Sequence, residues 1–427
     1  MAEKLKYISE KIGDGIRLNA LKTDCFKTNL LTFNIITPLS NDTASAHSLI
    51  TDVLTAACEK YPSLVELGKR MADLYSASVN AFVQKRAEYQ IVVFELSLIN
   101  NEYAYDGVNL FDEGTKLLGE VMLHPYLKDG KFDEEIVERE KKNLIDSIKE
   151  KINNKASYAN DRCGEIMCEG EPFAVDANGT IEKVEAATAE SLVETYRSLL
   201  TDYPIEIFYA GNMDIETVKG YITKNIPLPS GNRSLKAERV IKGAGELKVV
   251  EETFDVSQGK LILGFRANHS PNSEEELLAI QLFCDIFGSS PTSKLFMNVR
   301  EKLSLCYYCR PIYTALKGVM LVSCGIETSN YEKAKSAILA ELEAMKTGDI
   351  TEEEMENGKR SLINSFKMVT DSLGGMISWG AVRRLYTDDE ISTPEDFAEK
   401  VSSITKEQVV EAAARLTLDT VYLLKGE

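Results

Sequence analysis

Histidine is scarce in this 427-residue chain. There are three, His47, His124 and His269, and no two stand at the spacing that lets a helix or turn offer both to one metal ion. Cysteine is nearly as sparse, with eight residues scattered at 25, 58, 163, 168, 284, 306, 309 and 324. They do not read as a disulfide framework, and in a reducing compartment most are expected to be free thiols. No apolar run approaches the roughly 18–20 residues that span a bilayer, so no membrane partner is expected. The opening MAEKLKYISEKIGDG lacks the apolar stretch of a secretory signal, which points to the cytoplasm. A basic excess is missing too. The formal charge is −18, and with no basic face there is no expected nucleic-acid partner. An acidic surface can draw in basic peptides, although solvation alone accounts for it.

What is present is an ordinary globular composition, 44% hydrophobic and 27% charged, in a chain too long for one core. The chain is also written twice. FDEEIVEREKKNLIDSI (132–148) returns as ITEEEMENGKRSLINSF (350–366) at an offset of 218: Glu134, Glu138, Lys141, Leu144, Ile145 and Ser147 meet Glu352, Glu356, Lys359, Leu362, Ile363 and Ser365. Apolar residues at spacings of four and seven make both amphipathic helices. TAESLVE (188–194) matches TKEQVVE (405–411), each opened by a threonine suited to capping, and each leads to a strand, IEIFYAG or TVYLLKG. NLLTFNII, YQIVVFELSLI, GKLILGFRA and GVMLVSCGIE are further strands, rich in β-branched and aromatic residues. Ser63 and Glu66 form the capping box of another helix.

Each half therefore reads strand, helices, strand, helices, strand. That order predicts an α+β fold: two homologous domains, each a mostly antiparallel sheet with helices on one side. The expected boundaries are 1–224 for the first domain, 225–246 for a proline- and glycine-bearing linker, and 247–427 for the second.

This organisation resembles the M16 family of zinc metallopeptidases, which includes pitrilysin-type enzymes and the mitochondrial processing peptidase. The resemblance covers nearly the whole chain and is most specific in FDEEIVEREKKNLIDSI, SVNAF (78–82) and SKLFMNVREKLSLCY (293–307). It implies a half clamshell that faces a second such chain around a peptide chamber. Active members carry H-x-x-E-H on the first helix of the first domain, two zinc ligands and a general base, with a glutamate on a later helix as third ligand. Here that helix reads HSLITDVLTAAC. The match places Ser48 and Asp52 at the ligand positions, Thr51 at the base, and Ser147 at the later glutamate, with Asp146 beside it and Glu140 two turns earlier. His47 is one residue out of register, about 100° around the helix, and reads as an ordinary residue at a helix start. No metal is expected in this chain, and zinc is expected in a partner subunit.

REKLSLCYYC (300–309) holds two pairs that invite chemistry. Cys306 and Cys309 lack the second pair a structural zinc site needs and do not open a helix as redox pairs do. On an extended strand they should face opposite ways, as buried free thiols. Arg300 and Tyr307 match the family's R-E-x-x-x-L-x-Y, whose arginine and tyrosine face the chamber. The resemblance implies that they hold substrate and stabilise charge on its carbonyl oxygen. Asn80, in SVNAF, falls on the family's substrate-pairing edge strand, though Val83 replaces its threonine. The implied function is a non-catalytic subunit, inactive alone. It would pair with a paralogue bearing H-x-x-E-H to cleave unfolded peptides and contribute Arg300, Tyr307 and Asn80. The alternatives are a structural or peptide-binding protein with no proteolytic role, and a zinc peptidase with unusual ligands drawn from Asp52, Asp146 and Glu140.

Overall fold

The computed structural model describes residues 5–235 and 239–426. Residues 236–238, inside the expected linker, and the chain's first four and last residues lie outside the description. The described chain packs as two units that are not contiguous in sequence: 1–149 with 175–238 and 369–393, and 150–174 with 239–368 and 394–427.

The first unit is built on a six-stranded sheet. Its strands are β1 (Tyr7–Gly13), β2 (Ile16–Lys22), β3 (Thr28–Pro38), β4 (Ser78–Arg86), β5 (Tyr89–Ile99) and, after a two-stranded ribbon of β6 (Leu127–Lys128) and β7 (Lys131–Phe132), β8 (Ile205–Gly211). The order is β1-β2-β8-β3-β5-β4, antiparallel except where β2 meets β8. The pleat sends Leu31, Phe33 and Ile35 of β3 and Val92, Phe94 and Leu96 of β5 into one core. There they meet helices Ala44–Ala56, Leu110–Leu123, Glu134–Glu150 and Ala189–Thr201. Ser63 and Thr188 cap their helices as expected, their hydroxyls accepting from Glu66 N–H and Ser191 N–H.

The second unit holds a five-stranded sheet of β9 (Lys248–Thr253), β10 (Gly259–Arg266), β11 (Cys306–Thr314), β12 (Val319–Ile326) and β13 (Thr417–Lys425). Its order is β11-β12-β10-β13-β9, with one parallel pairing, β13 to β9. Helices Glu274–Cys284, Tyr331–Lys346 and Lys406–Ala414 pack together beside it. The α+β class with two mostly antiparallel sheets is thus as expected.

The main helical layer is joined by one helix on the second face of each sheet, and that helix comes from the other repeat. Helix Leu373–Arg384 lies on β8 and β3 of the first unit. Helix Lys155–Met167 lies on β10, β12 and β13 of the second, where Ala159 and Cys163 meet Ile262, Tyr422 and Leu424. The two helices start at the same 218-residue offset as the repeat. Each packs close at a glycine. A Cβ on Gly380 would stand 2.9 Å from Phe208 Cε1 and 3.0 Å from Tyr7 Cε1, and one on Gly264 2.9 Å from Met167 Sδ.

Candidate functional site

The Ala44–Ala56 helix turns Leu49, Ile50, Val53 and Leu54 into the core. The positions that would hold zinc lie on the same turns and are differently employed. Ser48 is buried, and its hydroxyl donates to Asn178 Oδ1 at 3.2 Å. Thr51, also buried, donates to the Ser48 carbonyl at 2.6 Å. Asn178 sits in a loop clasped to the helix start. Thr180 N–H donates to Ser45 Oγ at 3.0 Å, and a Cβ on Gly179, whose φ is +71°, would collide with that hydroxyl. Nothing in the sequence pattern marked Asn178, which meets Ser48 across 130 residues of chain.

His47 is buried and plays the ordinary part expected of it. Its Nδ1 lies 2.8 Å from Gln90 Oε1. Gln90 Nε2 donates to the Ala44 and Ala177 carbonyls, so Oε1 is the acceptor and His47 Nδ1 carries the proton. Burial holds the imidazole neutral, lowering its pKa to about 4.

Of the unusual ligand set, two members come together. Burial, and then the neighbouring Glu140 carboxylate, push the Asp52 carboxyl up to about 7. Glu140 is buried and accepts from Arg139 Nε at 2.7 Å and Asn143 Nδ2 at 2.8 Å. Asp146 and Ser147 are exposed. Among the described residues no three His, Cys, Asp or Glu side chains are grouped so that they could hold a metal ion. Two hydroxyls already hydrogen-bonded to protein and one carboxyl that favours its proton do not fit a zinc ion, and no step is assigned to one.

Arg300 lies in a π-helical segment, Leu295–Lys302, beside edge strand β11. Its guanidinium sits over the Phe296 ring, 4.6 Å from the centroid, and is 3.6 Å from Glu301. Tyr307 is half exposed, its hydroxyl 3.4 Å from Glu327 Oε1. Asn80 is exposed on β4, the edge of the first sheet, and donates to Ser78 Oγ at 3.0 Å.

The structure corrects the expectation for Cys306 and Cys309. The β11–β12 register pairs Cys306 with Ile326, Tyr308 with Gly325 and Cys309 with Cys324, leaving Tyr307 unpaired. That bulge adds one residue to the strand and reverses the parity of the residues beyond it. Cys306 and Cys309 therefore share a face instead of opposing one another, and Cys324 is on it with them.

Two sheets covered by helices, repeated along the chain, define a zinc-peptidase-type fold in which, among the described residues, no group of His, Cys, Asp and Glu is placed to hold a metal ion. The chain belongs to the M16 peptidase family. The family model described as "Peptidase M16 inactive domain" matches residues 186–362. A probable inactive metalloprotease, YmfF of Bacillus subtilis, is 32% identical over 428 residues, covering 99% of both chains. Among solved structures, a conserved protein from Enterococcus faecalis superposes with a TM-score of 0.88 at 26% identity, over 99% of each chain. A peptidase M16 inactive domain from Pseudomonas fluorescens does so at 0.79 and 16% identity, over 99% of this chain and 98% of that one. Among the described residues no helix is long and apolar enough to cross a membrane.

Proposed function

We propose that this chain is the non-catalytic subunit of a cytoplasmic peptidase pair. It joins a paralogue that carries H-x-x-E-H and its zinc, and lends Arg300 and Tyr307 to the partner's site. Zinc held by the partner's motif would supply the activated water for hydrolysis of an unfolded peptide. The guanidinium and the phenol donate to the peptide backbone and to the oxygen on which charge develops, a role for which both are strong donors. Strand β4, unpaired on its outer side, offers backbone groups to an extended peptide near Asn80.

The observation that carries this reading is the contrast between the two halves of the motif set. The zinc positions hold the hydroxyls of Ser48 and Ser147 and the single buried carboxyl of Asp52, in place of two imidazoles and a glutamate. Arg300 and Tyr307 keep exposed polar ends that little else in the fold uses, with contacts no shorter than 3.4 Å to Glu301 and Glu327. The test is to mix the purified chain with the motif-bearing paralogue of its own host and follow cleavage of casein. The chain alone should be inert, and the mixture should form a heterodimer whose cleavage stops on zinc chelation. Failure of the two chains to associate, or chelator-sensitive hydrolysis by this chain by itself, overturns the proposal.

A further inference from the structure

The bulge at Tyr307 gathers three of the eight cysteines. Cys309 stands directly across from Cys324 on the neighbouring antiparallel strand, and Cys306 stands two positions along on the same face, opposite Ile326. All three thiols are unbridged. They differ in access: Cys306 and Cys309 are 9% and 7% exposed, while Cys324 has no exposed surface. Arg300, at the end of the adjoining π-helical segment, places its positive charge near Cys306.

We propose that Cys306, Cys309 and Cys324 form a peroxide-oxidisable thiol site that ends in a Cys309–Cys324 disulfide. The proposal shares Arg300 with the peptide-contact reading above but does not depend on it. Cys306 is the reactive member. It is the most exposed of the three, and thiol hydrogen bonds from Cys309 and then Cys324, with the Arg300 charge adding to them, lower its pKa. Cys309 and Cys324 are shifted the other way, as donors to that thiolate and as buried groups.

The chemistry balances with one hydrogen peroxide as oxidant. The Cys306 thiolate attacks a peroxide oxygen, the O–O bond breaks, and the departing hydroxide takes a proton to become water, leaving a sulfenic acid. The Cys324 sulfur attacks the Cys306 sulfur. The S–O bond breaks, and the hydroxyl leaves as water with the Cys324 proton. Cys309 then attacks Cys324, its proton passes to Cys306, and Cys306 departs as a thiol. Two thiols and one peroxide have become one disulfide and two waters, and Cys306 is regenerated.

Geometry orders these steps. Diagonal neighbours on an antiparallel pair are about 7–8 Å apart, too far for an unstrained Cys306–Cys324 bridge. Directly opposed residues have Cα atoms about 4.5–5.5 Å apart, within the disulfide range. Exchange also favours departure of the most acidic thiol, which is Cys306.

The experiment exposes the full chain to a small molar excess of hydrogen peroxide and maps tryptic peptides without reduction. Peptide 303–317, which holds Cys306 and Cys309, should become joined to peptide 318–333, which holds Cys324, and dithiothreitol should separate them. Cys306→Ser should slow the joining at least tenfold, and Cys324→Ser should abolish it, whereas Cys25→Ser should leave it unchanged. A second measurement needs no variant: iodoacetamide at pH 6 should alkylate Cys306 ahead of the exposed Cys25. The proposal is overturned if the two peptides stay separate under peroxide, if Cys306→Ser oxidises at the parent rate, or if Cys25 is alkylated first.

Discussion

Asp52, on the helix that would carry zinc in an active relative, faces the buried carboxylate of Glu140 from the later helix of the same unit. Burial and then Glu140 raise the Asp52 pKa from 3.8 to about 7, so the folded chain binds a proton that the unfolded chain releases. Between those two values the native state is the more protonated, and stability falls as pH rises. Asp52→Asn should remove that slope and stabilise the fold at pH 8 by about 1–3 kcal/mol, allowing for partial exposure. Urea unfolding at pH 5 and pH 8 measures it. Equal or greater loss of stability in the variant at pH 8 would mean that the Asp52 carboxylate is held by a partner instead.

His47 contributes the opposite slope. Its pKa is lowered from 6.5 to about 4, chiefly by burial, so between those values the unfolded chain binds more protons and stability falls as pH falls. His47→Leu should erase this acid sensitivity. It also leaves Gln90 Oε1 without its donor, at a cost of about 1–3 kcal/mol near pH 7. A variant whose unfolding midpoint still drops between pH 6.5 and 4.5 by as much as the parent's would place the sensitivity elsewhere.

Glu171 ties the helix that the second unit takes from the first repeat to its sheet. Only 3% of its side chain is exposed, and it accepts from Lys317 Nζ at 2.6 Å and Arg266 Nη2 at 2.8 Å. Arg266 also meets Asp419 at 3.2 Å. Glu171→Gln leaves two buried cations short of a counter-charge and should cost about 3–5 kcal/mol. Thermal unfolding followed by circular dichroism reads the loss. A change below 1 kcal/mol would show that water reaches the cluster.

Much of this fold is legible in the sequence because the central strands are buried on both faces. β5, β8 and β13 carry the apolar runs IVVF, IFYA and VYLL, and β3 mixes apolar residues with buried Thr and Asn, whereas β1 buries only Tyr7 fully and carries no such pattern. Helix Leu373–Arg384 hides for another reason. Its segment LGGMISWG holds three glycines, poor helix formers whose presence at 380 is explained only by Phe208 and Tyr7 packing against it. A repeat reveals kinship between segments but not which sheet each helix covers, so the exchange of residues 150–174 and 369–393 could not be read from it. At the site, the assignment of Ser48, Thr51, Asp52 and Ser147 follows from the resemblance to the family's motif. The bulge at Tyr307 does not, since no glycine or proline marks it, and one unpaired residue reversed the facing of Cys309.

Tyr307 and Arg300 supply the last prediction, which separates function from folding. Tyr307 is half exposed and its hydroxyl reaches only Glu327 at 3.4 Å, so Tyr307→Phe should leave the unfolding midpoint within about 0.5 kcal/mol of the parent. In the reconstituted pair the same change should lower turnover by roughly 10²–10³, the usual consequence of losing one preorganised donor to a developing oxyanion. Arg300→Lys keeps charge but loses the planar fork, and should impair turnover as well while partner affinity holds. Cys306→Ser and Cys309→Ser touch only the thiol cluster and should leave turnover near the parent value. Steady-state cleavage, with subunit affinity measured separately, distinguishes the cases. If Tyr307→Phe cleaves at the full rate while the cysteine pair proves essential, the chemistry of this strand lies with its thiols and the Arg300–Tyr307 assignment is lost.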